Sequence, residues 1–241
     1  MKVVLWIVSI ILGLALLYFL IPGFFALFVN PKKEYKKDSK LYRFLLNMAS
    51  VIGLWVMRVK VHVSGTEKLP KDEKLLFVGN HRSNFDPIIT WYALRDWKIS
   101  YISKAGNFKI PIFGRIIRRC CFMTIDRENA RKAIGTINEA SDLLKVQEFS
   151  IGVYPEGTRS KNGELLPFHN GVLRIAQKAN TSIAVVVLNG TEKIHKNYPF
   201  QRTKIEMTVA EVIPAEQVCS MRSAELGDKV RNIIENSLKQ T

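Results

Sequence analysis

Two short segments hold most of the side chains suited to moving a proton or gripping an anion. The first is Asn80-His81-Arg82-Ser83-Asn84-Phe85-Asp86-Pro87, and the second is Tyr154-Pro155-Glu156-Gly157-Thr158-Arg159-Ser160. Histidine titrates nearest to working pH and so suits a general base. It works better when a carboxylate holds its second ring nitrogen and fixes the tautomer. His81 and Asp86 are five positions apart. On one continuous helix they would point about 140° away from each other, at 3.6 residues per turn. They can meet only if His81 lies in the turn before a helix. Asp86-Pro87 fits such a start, because Asp is a favoured N-cap and Pro a favoured first helical residue. The competing reading is that Asp86 is a cap and His81 a loop residue. Ser83 is a possible nucleophile, but no G-x-S-x-G elbow surrounds it.

The second segment offers a flexible backbone, a hydroxyl and a guanidinium. Arg159 has the fork geometry that grips a phosphate. Glu156 can hold that arginine in place, and Gly157 permits close backbone approach. The alternative is a surface turn with an Arg–Glu pair.

These segments need elements to position them, and the pattern supplies an α/β order. Residues 58–63 alternate with period two, a half-exposed strand with His62 on its polar face. Short apolar runs at 75–78, 99–102, 121–125 and 150–154 read as strands. Ile183–Leu188 is apolar throughout, the mark of a strand buried on both faces, and 205–213 is another. Helical spacing appears at 39–57, 86–94, 128–146 and 171–179, and a closing helix carries Leu226, Val230, Ile233, Ile234 and Leu238. Strands alternating with helices imply a layered sheet flanked by helices. Loops at the carboxyl ends of such strands commonly carry the chemistry, and both segments follow strands.

The chain has 241 residues, 47% of them hydrophobic and 24% charged, so it can bury a full core. A disordered tail, a collagen-like rod and a disulfide miniprotein are excluded. The formal net charge of +15 points to an anionic partner. Three cysteines, two of them adjacent, read as reduced thiols, and no Cys/His spacing suggests a metal.

The run Val3–Val29 is almost wholly apolar. A spanning helix needs roughly 20 such residues, whereas a signal peptide has a shorter apolar core and a cleavage site. It reads as a retained anchor, which Ile21-Pro22-Gly23 kinks or breaks, giving either a spanning helix or one that dips into a leaflet. Lys32, Lys33, Lys36, Lys37, Lys40 and Arg43 follow at once. That bias puts the remainder on the cytoplasmic face and offers a surface for anionic head groups. The helix over 39–57 fits either an interfacial or a core position. The expected organisation is 1–57 as membrane-anchoring helices with a basic cluster and 58–241 as the catalytic domain.

Together, NHxxxxD and PEGTRS resemble the glycerophosphate and lysophosphatidate acyltransferases, over roughly residues 58–215. The stretch Lys104–Gly114 followed by Phe122-Met-Thr-Ile-Asp-Arg127 is similar to that family's middle block. The family's fourth block commonly carries two prolines, which Ser182–Val186 lacks. That departure bears on acyl preference. His169 stands where the family often has lysine and reads as a pocket-rim or cap residue.

The resemblance implies transfer of a fatty acyl group from a thioester to a glycerol hydroxyl, with His81 as base and Asp86 orienting it. It also implies that the acceptor phosphate meets Arg159, helped by Lys104, Arg127, Glu156, Gly157 and Thr158. No metal or cofactor is implied, because acyl-CoA or acyl-acyl carrier protein enters as co-substrate. The implied partners are membrane lipids and lysophosphatidate, with no nucleic acid. Arginines 115, 118 and 119 are candidates for steering an acidic donor. Competing readings are an acyltransferase for another lysophospholipid or glycerol-3-phosphate, a serine hydrolase using Ser83 or Ser160, and a non-catalytic membrane-tethered binding protein.

Overall fold

A computed structural model describes residues 2–126, 129–146, 149–160 and 163–240. The order is α1 (Lys2–Leu27), α2 (Lys40–Val56), β1 (Val59–Ser64), β2 (Leu76–Gly79), α3 (Asp86–Ala93), β3 (Ser100–Lys104), α4 (Phe113–Arg119) and β4 (Met123–Ile125). It continues with α5 (Ala130–Val146), β5 (Ile151–Val153), α6 (Arg174–Ala179), β6 (Ile183–Asn189), α7 (Ile194–Asn197), β7 (Thr203–Ile213), α8 (Ala215–Ser220) and α9 (Ser223–Lys239).

The seven strands form one sheet in the order β1-β7-β6-β2-β5-β3-β4. Its centre is parallel: β2 pairs with β5 and β6, and β3 pairs with β5 and β4. β7 runs antiparallel to β6, and β1 runs parallel to β7. Parallel strands need both faces covered, and the alternation of side chains along β6 shows the two cores. Ile183, Val185 and Val187 face a cluster with Ile137, Leu144, Ile175, Val230 and Ile234 from α5, α6 and α9. Ala184, Val186 and Leu188 face a second cluster with Leu45, Ile89, Trp91 and Ile117 from α2, α3 and α4. The layered α/β expectation holds. The short helix α4 gave no separate periodic signal, since two turns are too few to show one.

The N-terminal helices bear on two alternatives that the sequence left open. α1 runs unbroken through Pro22. It is long and apolar enough to cross a membrane, and of its residues only Ala26 is buried. α2 has two apolar faces. Tyr42, Leu45, Leu46 and Leu54 lie in the domain core, while Leu41, Phe44, Met48, Val51, Trp55 and Val56 are exposed. Arg43, from the basic cluster, is turned inward. It makes a two-pronged pair with Asp38 at 2.8 and 2.9 Å and donates to the Ile99 carbonyl at 3.1 Å. Residue 57 is therefore no break in packing, because α2 is as much a layer of the sheet domain as α3.

The three arginines expected to steer a donor are also otherwise engaged. Arg115 donates to the Ala26 carbonyl of α1 at 3.1 Å. Arg118 lies over the Phe108 ring, and Arg119 lies over Tyr35 and Tyr42. All three are half-buried and cement α4 to its neighbours.

Candidate active site

Both motifs leave the same edge of the sheet from adjacent strands, β2 and β5. Asn80 makes the turn out of β2. Its buried amide donates to the Leu188 carbonyl at 2.9 Å and accepts the Leu188 N–H at 2.8 Å, so a side chain continues the β2–β6 ladder. His81 follows at once. Its N–H donates to Glu156 Oε1 at 2.6 Å, and its carbonyl accepts the Ser160 N–H at 2.8 Å. The backbone of the histidine is thus clasped on both sides by the 154–160 loop.

The imidazole is fixed as firmly. Nδ1 lies 2.7 Å from Asp86 Oδ2. The same oxygen accepts the Arg82 and Ser83 N–H groups, each at 2.6 Å, and the Thr191 hydroxyl donates to Oδ1 at 2.5 Å. Asp86 is fully buried. Donors in that number offset the water a buried carboxylate gives up. With Nδ1–H given to Asp86, Nε2 carries the lone pair, which is the tautomer a general base requires. The imidazole remains partly open, with 18% of its side chain exposed. The Tyr154 ring stacks on it at 4.6 Å between centroids and 21° between planes. The Tyr154 hydroxyl meets Thr90 Oγ1 at 3.1 Å, and Thr90 in turn meets the Tyr101 hydroxyl at 2.5 Å. Burial pushes both tyrosine hydroxyls above their ordinary value, so they stay neutral spacers.

The expected dyad therefore forms, and it forms as spacing required, with His81 in the turn before α3. One detail differs. Asp86 is not the helix cap: Phe85 occupies that position, and the carboxylate turns back to the N–H groups of the preceding loop.

The second motif divides. Glu156 is only 3% exposed. Its second oxygen, Oε2, accepts the Leu166 N–H at 3.0 Å. Both its oxygens thus serve backbone, and the expected pairing with Arg159 is not among the ion pairs of the described residues. Burial raises its carboxyl above the ordinary value, opposed by the Leu166 and His81 N–H groups. Glu156 is a loop clasp. Gly157 has φ +68°, a turn conformation that an L side chain resists. Thr158 and Arg159 are exposed and face no acid among the described residues. Arg159 is adjacent in sequence to Ser160, whose N–H binds the His81 carbonyl, so it sits on the loop that clasps the histidine. Lys104 is exposed at the end of β3, separated from β2 by β5. Arg127 lies outside the described residues.

Neither serine is set up as a nucleophile. Ser83 Oγ accepts the Phe85 N–H at 3.2 Å and Ser160 Oγ the Gly163 N–H at 3.1 Å, both buried. His169 precedes the 3₁₀ turn Asn170–Leu173, where it makes no side-chain cap bond. Among the described residues, no group of three or more His, Cys, Asp or Glu stands close enough to hold a metal ion.

Sequence reasoning missed Asn80, Tyr154 and Thr191 as parts of the site. Asn80 opens NHxxxxD and Tyr154 precedes PEGTRS, so both could have been found by asking what holds the motifs. Thr191 follows the end of β6, and the rule for strand ends was the only available signal.

A family model described as Acyltransferase matches residues 60–189. Relatives named 1-acyl-sn-glycerol-3-phosphate acyltransferase include one from Borreliella burgdorferi, 30% identical over 58% of this chain and 55% of its own length. Another, from Streptococcus pneumoniae, is 30% identical over 67% of this chain and 59% of its own length. A chloroplastic one from Arabidopsis thaliana is 32% identical over 64% and 43% respectively. The chain thus spans about half the length of the curated relatives it matches. The crystal structure of the 1-acyl-sn-glycerophosphate acyltransferase PlsC from Thermotoga maritima has the same fold. Its TM-score is 0.71 at 24% identity, covering 95% of this chain and 91% of that one. The matched residues take in β1 through β6, the dyad and the clasping loop, more than half of the chain, and the protein belongs to the acyltransferase family.

Proposed function

We propose that this protein transfers a fatty acyl group from an acyl thioester to the 2-hydroxyl of 1-acyl-glycerol-3-phosphate, giving phosphatidate. The observation that carries the reading is the His81–Asp86 pair, with Nδ1 held at 2.7 Å and Nε2 left for a substrate. Nε2 takes the proton of the acceptor hydroxyl as its oxygen attacks the thioester carbonyl carbon. The buried carboxylate stabilises the imidazolium that results. The tetrahedral intermediate then collapses, the carbon–sulfur bond breaks, and the thiolate takes the proton from Nε2. No acyl-enzyme forms, in keeping with the two buried, bonded serines. The thioester is already activated, so the residues supply position and a base, with coenzyme A or acyl carrier protein as donor co-substrate.

Arg159 binds the acceptor's phosphate. A guanidinium can pair with two of that group's oxygens, and its exposure on the loop that clasps His81 supports this role. Lys104 adds charge further along the same edge. The acceptor's own acyl chain keeps it in a membrane, and α1 supports the protein's working there, with the basic segment after residue 31 at the cytoplasmic face.

The test is thiol release from a long-chain acyl thioester by the full purified chain, offered lysophosphatidate, other lysophospholipids and glycerol-3-phosphate. Turnover greatest with lysophosphatidate and lost in His81→Ala is expected. A preference for acceptors without a phosphate monoester would remove Arg159 from its role. Absence of His81-dependent turnover with every acceptor and both donors would overturn the enzyme reading.

A further inference from the structure

Thr191 lies 105 positions from Asp86 in sequence, yet its hydroxyl donates to Asp86 Oδ1 at 2.5 Å. The delivery is specific. β6 ends at Asn189, and Gly190 turns the chain with φ +89°. A Cβ at Gly190 would lie 2.9 Å from the Lys204 carbonyl oxygen, so both the conformation and the space favour glycine. Thr191 is fully buried.

The two oxygens of Asp86 are not equivalent. Oδ2 accepts three N–H groups, from His81 Nδ1, Arg82 and Ser83. Oδ1 accepts one hydroxyl, that of Thr191. The terminal torsion of a carboxylate is broad and roughly two-fold, and turning it would carry Oδ2 off its three donors. The Thr191 hydroxyl adds a hold on the other oxygen against the same turn. We infer that Thr191 is a positioning residue for acyl transfer, acting through Asp86 by locking the carboxylate plane so that Oδ2 stays in line with His81 Nδ1–H. The inference rests on the acyl-transfer reading for its kinetic consequence but not for its geometric one.

Thr191→Val keeps shape and removes the donor. It leaves Oδ1 buried without a partner and the carboxylate held through Oδ2 alone. A small misplacement of a general base costs rate steeply, so kcat should fall about tenfold to a hundredfold with KM for both substrates little changed. Thr191→Ser retains the hydroxyl and should recover most of the rate. Loss through a merely loosened fold would track Tm across the two variants and would leave the His81 Nδ1–H resonance of the folded protein unmoved.

A second readout needs no substrate. Proton NMR of the full chain with labelled histidine should show a downfield His81 Nδ1–H, absent in His81→Ala. In Thr191→Val it should broaden or move upfield as the bond to Asp86 loosens, and Thr191→Ser should restore it. Unchanged resonance in Thr191→Val would overturn the inference, as would wild-type kcat in that variant. A wild-type chain that turns over no acceptor would instead sink the acyl-transfer reading, and the resonance would still decide the role of Thr191.

Discussion

The loops leaving β2 and β5 are neighbours at one sheet edge, and they are built in opposite ways. In the β2 loop, the His81 N–H, its carbonyl, its Nδ1 and its ring face all have partners. In the β5 loop, Glu156 and Ser160 are anchored and buried, while Thr158 and Arg159 between them are exposed. On the proposed function, the difference follows from what each loop would do. Proton transfer tolerates little displacement, so a base would be held by the fold before substrate arrives. A charged group that recognises a membrane-borne anion would have to reach it, and a long side chain on an anchored loop would permit that. The anchors of the second loop are the clasps of the first, so rigidity in one requires the other.

Substitutions at these positions should separate the two designs. His81→Ala removes the base and should lower kcat by about 10⁴-fold, the upper end for a positioned acid–base group, with unchanged acceptor KM. Asp86→Asn keeps the ring but loses the charge that sets its tautomer. A fall of about 10²–10³-fold in kcat is expected, again with KM preserved. Arg159→Ala should act on the other axis. Loss of a charge-assisted bond to phosphate is worth about 1.5–3 kcal/mol, which converts to about 10–150-fold in acceptor KM, with kcat nearly kept. Arg159→Lys should recover part of that loss, since it returns charge without the fork. Steady-state kinetics on the four variants checks all of this. An Arg159→Ala defect confined to kcat would break the division of labour between the loops.

How far the sequence revealed this arrangement depended on the range of the interaction concerned. The strands and long helices were legible because burial imposes a period on each element locally. β6 with its unbroken apolar run and α5 with its repeating stripe are the clearest cases. Spacing told how His81 and Asp86 would have to meet but left a cap and a loop residue as a competing reading, and the resemblance carried by NHxxxxD with PEGTRS singled the pair out. Glu156 was misread because only the nearest plausible partner, Arg159, was considered. Its actual partners are backbone N–H groups at His81 and Leu166, which carry no sequence signal. Thr191 was invisible for a related reason, since a threonine after a strand reads as a turn until β6 is known to lie beside β2. α2 read as either interfacial or core because it is apolar on two faces, and only packing told which residues serve the core.

The shared clasp yields the smallest effect and a test of the coupling between the loops. Glu156→Gln leaves one acceptor oxygen for two N–H donors, those of His81 and Leu166. The unsatisfied donor should cost about 1–3 kcal/mol of stability. The pH dependence has a definite sign. Burial raises the Glu156 carboxyl above its ordinary 4.5, so the folded protein holds a proton there that the unfolded chain has released. The stability this supplies is complete below about 4.5 and is lost as pH rises through the folded value. Glutamine does not titrate, so the stability gap between wild type and Glu156→Gln should be widest at mildly acid pH and narrow as pH rises. Thermal unfolding of both proteins from pH 4.5 upward measures that gap. A gap that widened with pH would mean that the two N–H bonds outweigh burial and that the clasp works as a carboxylate. In either case the variant should slow turnover more than it weakens acceptor binding, because the group displaced by a loosened clasp is the His81 backbone, whereas Arg159 reaches solvent on its own side chain.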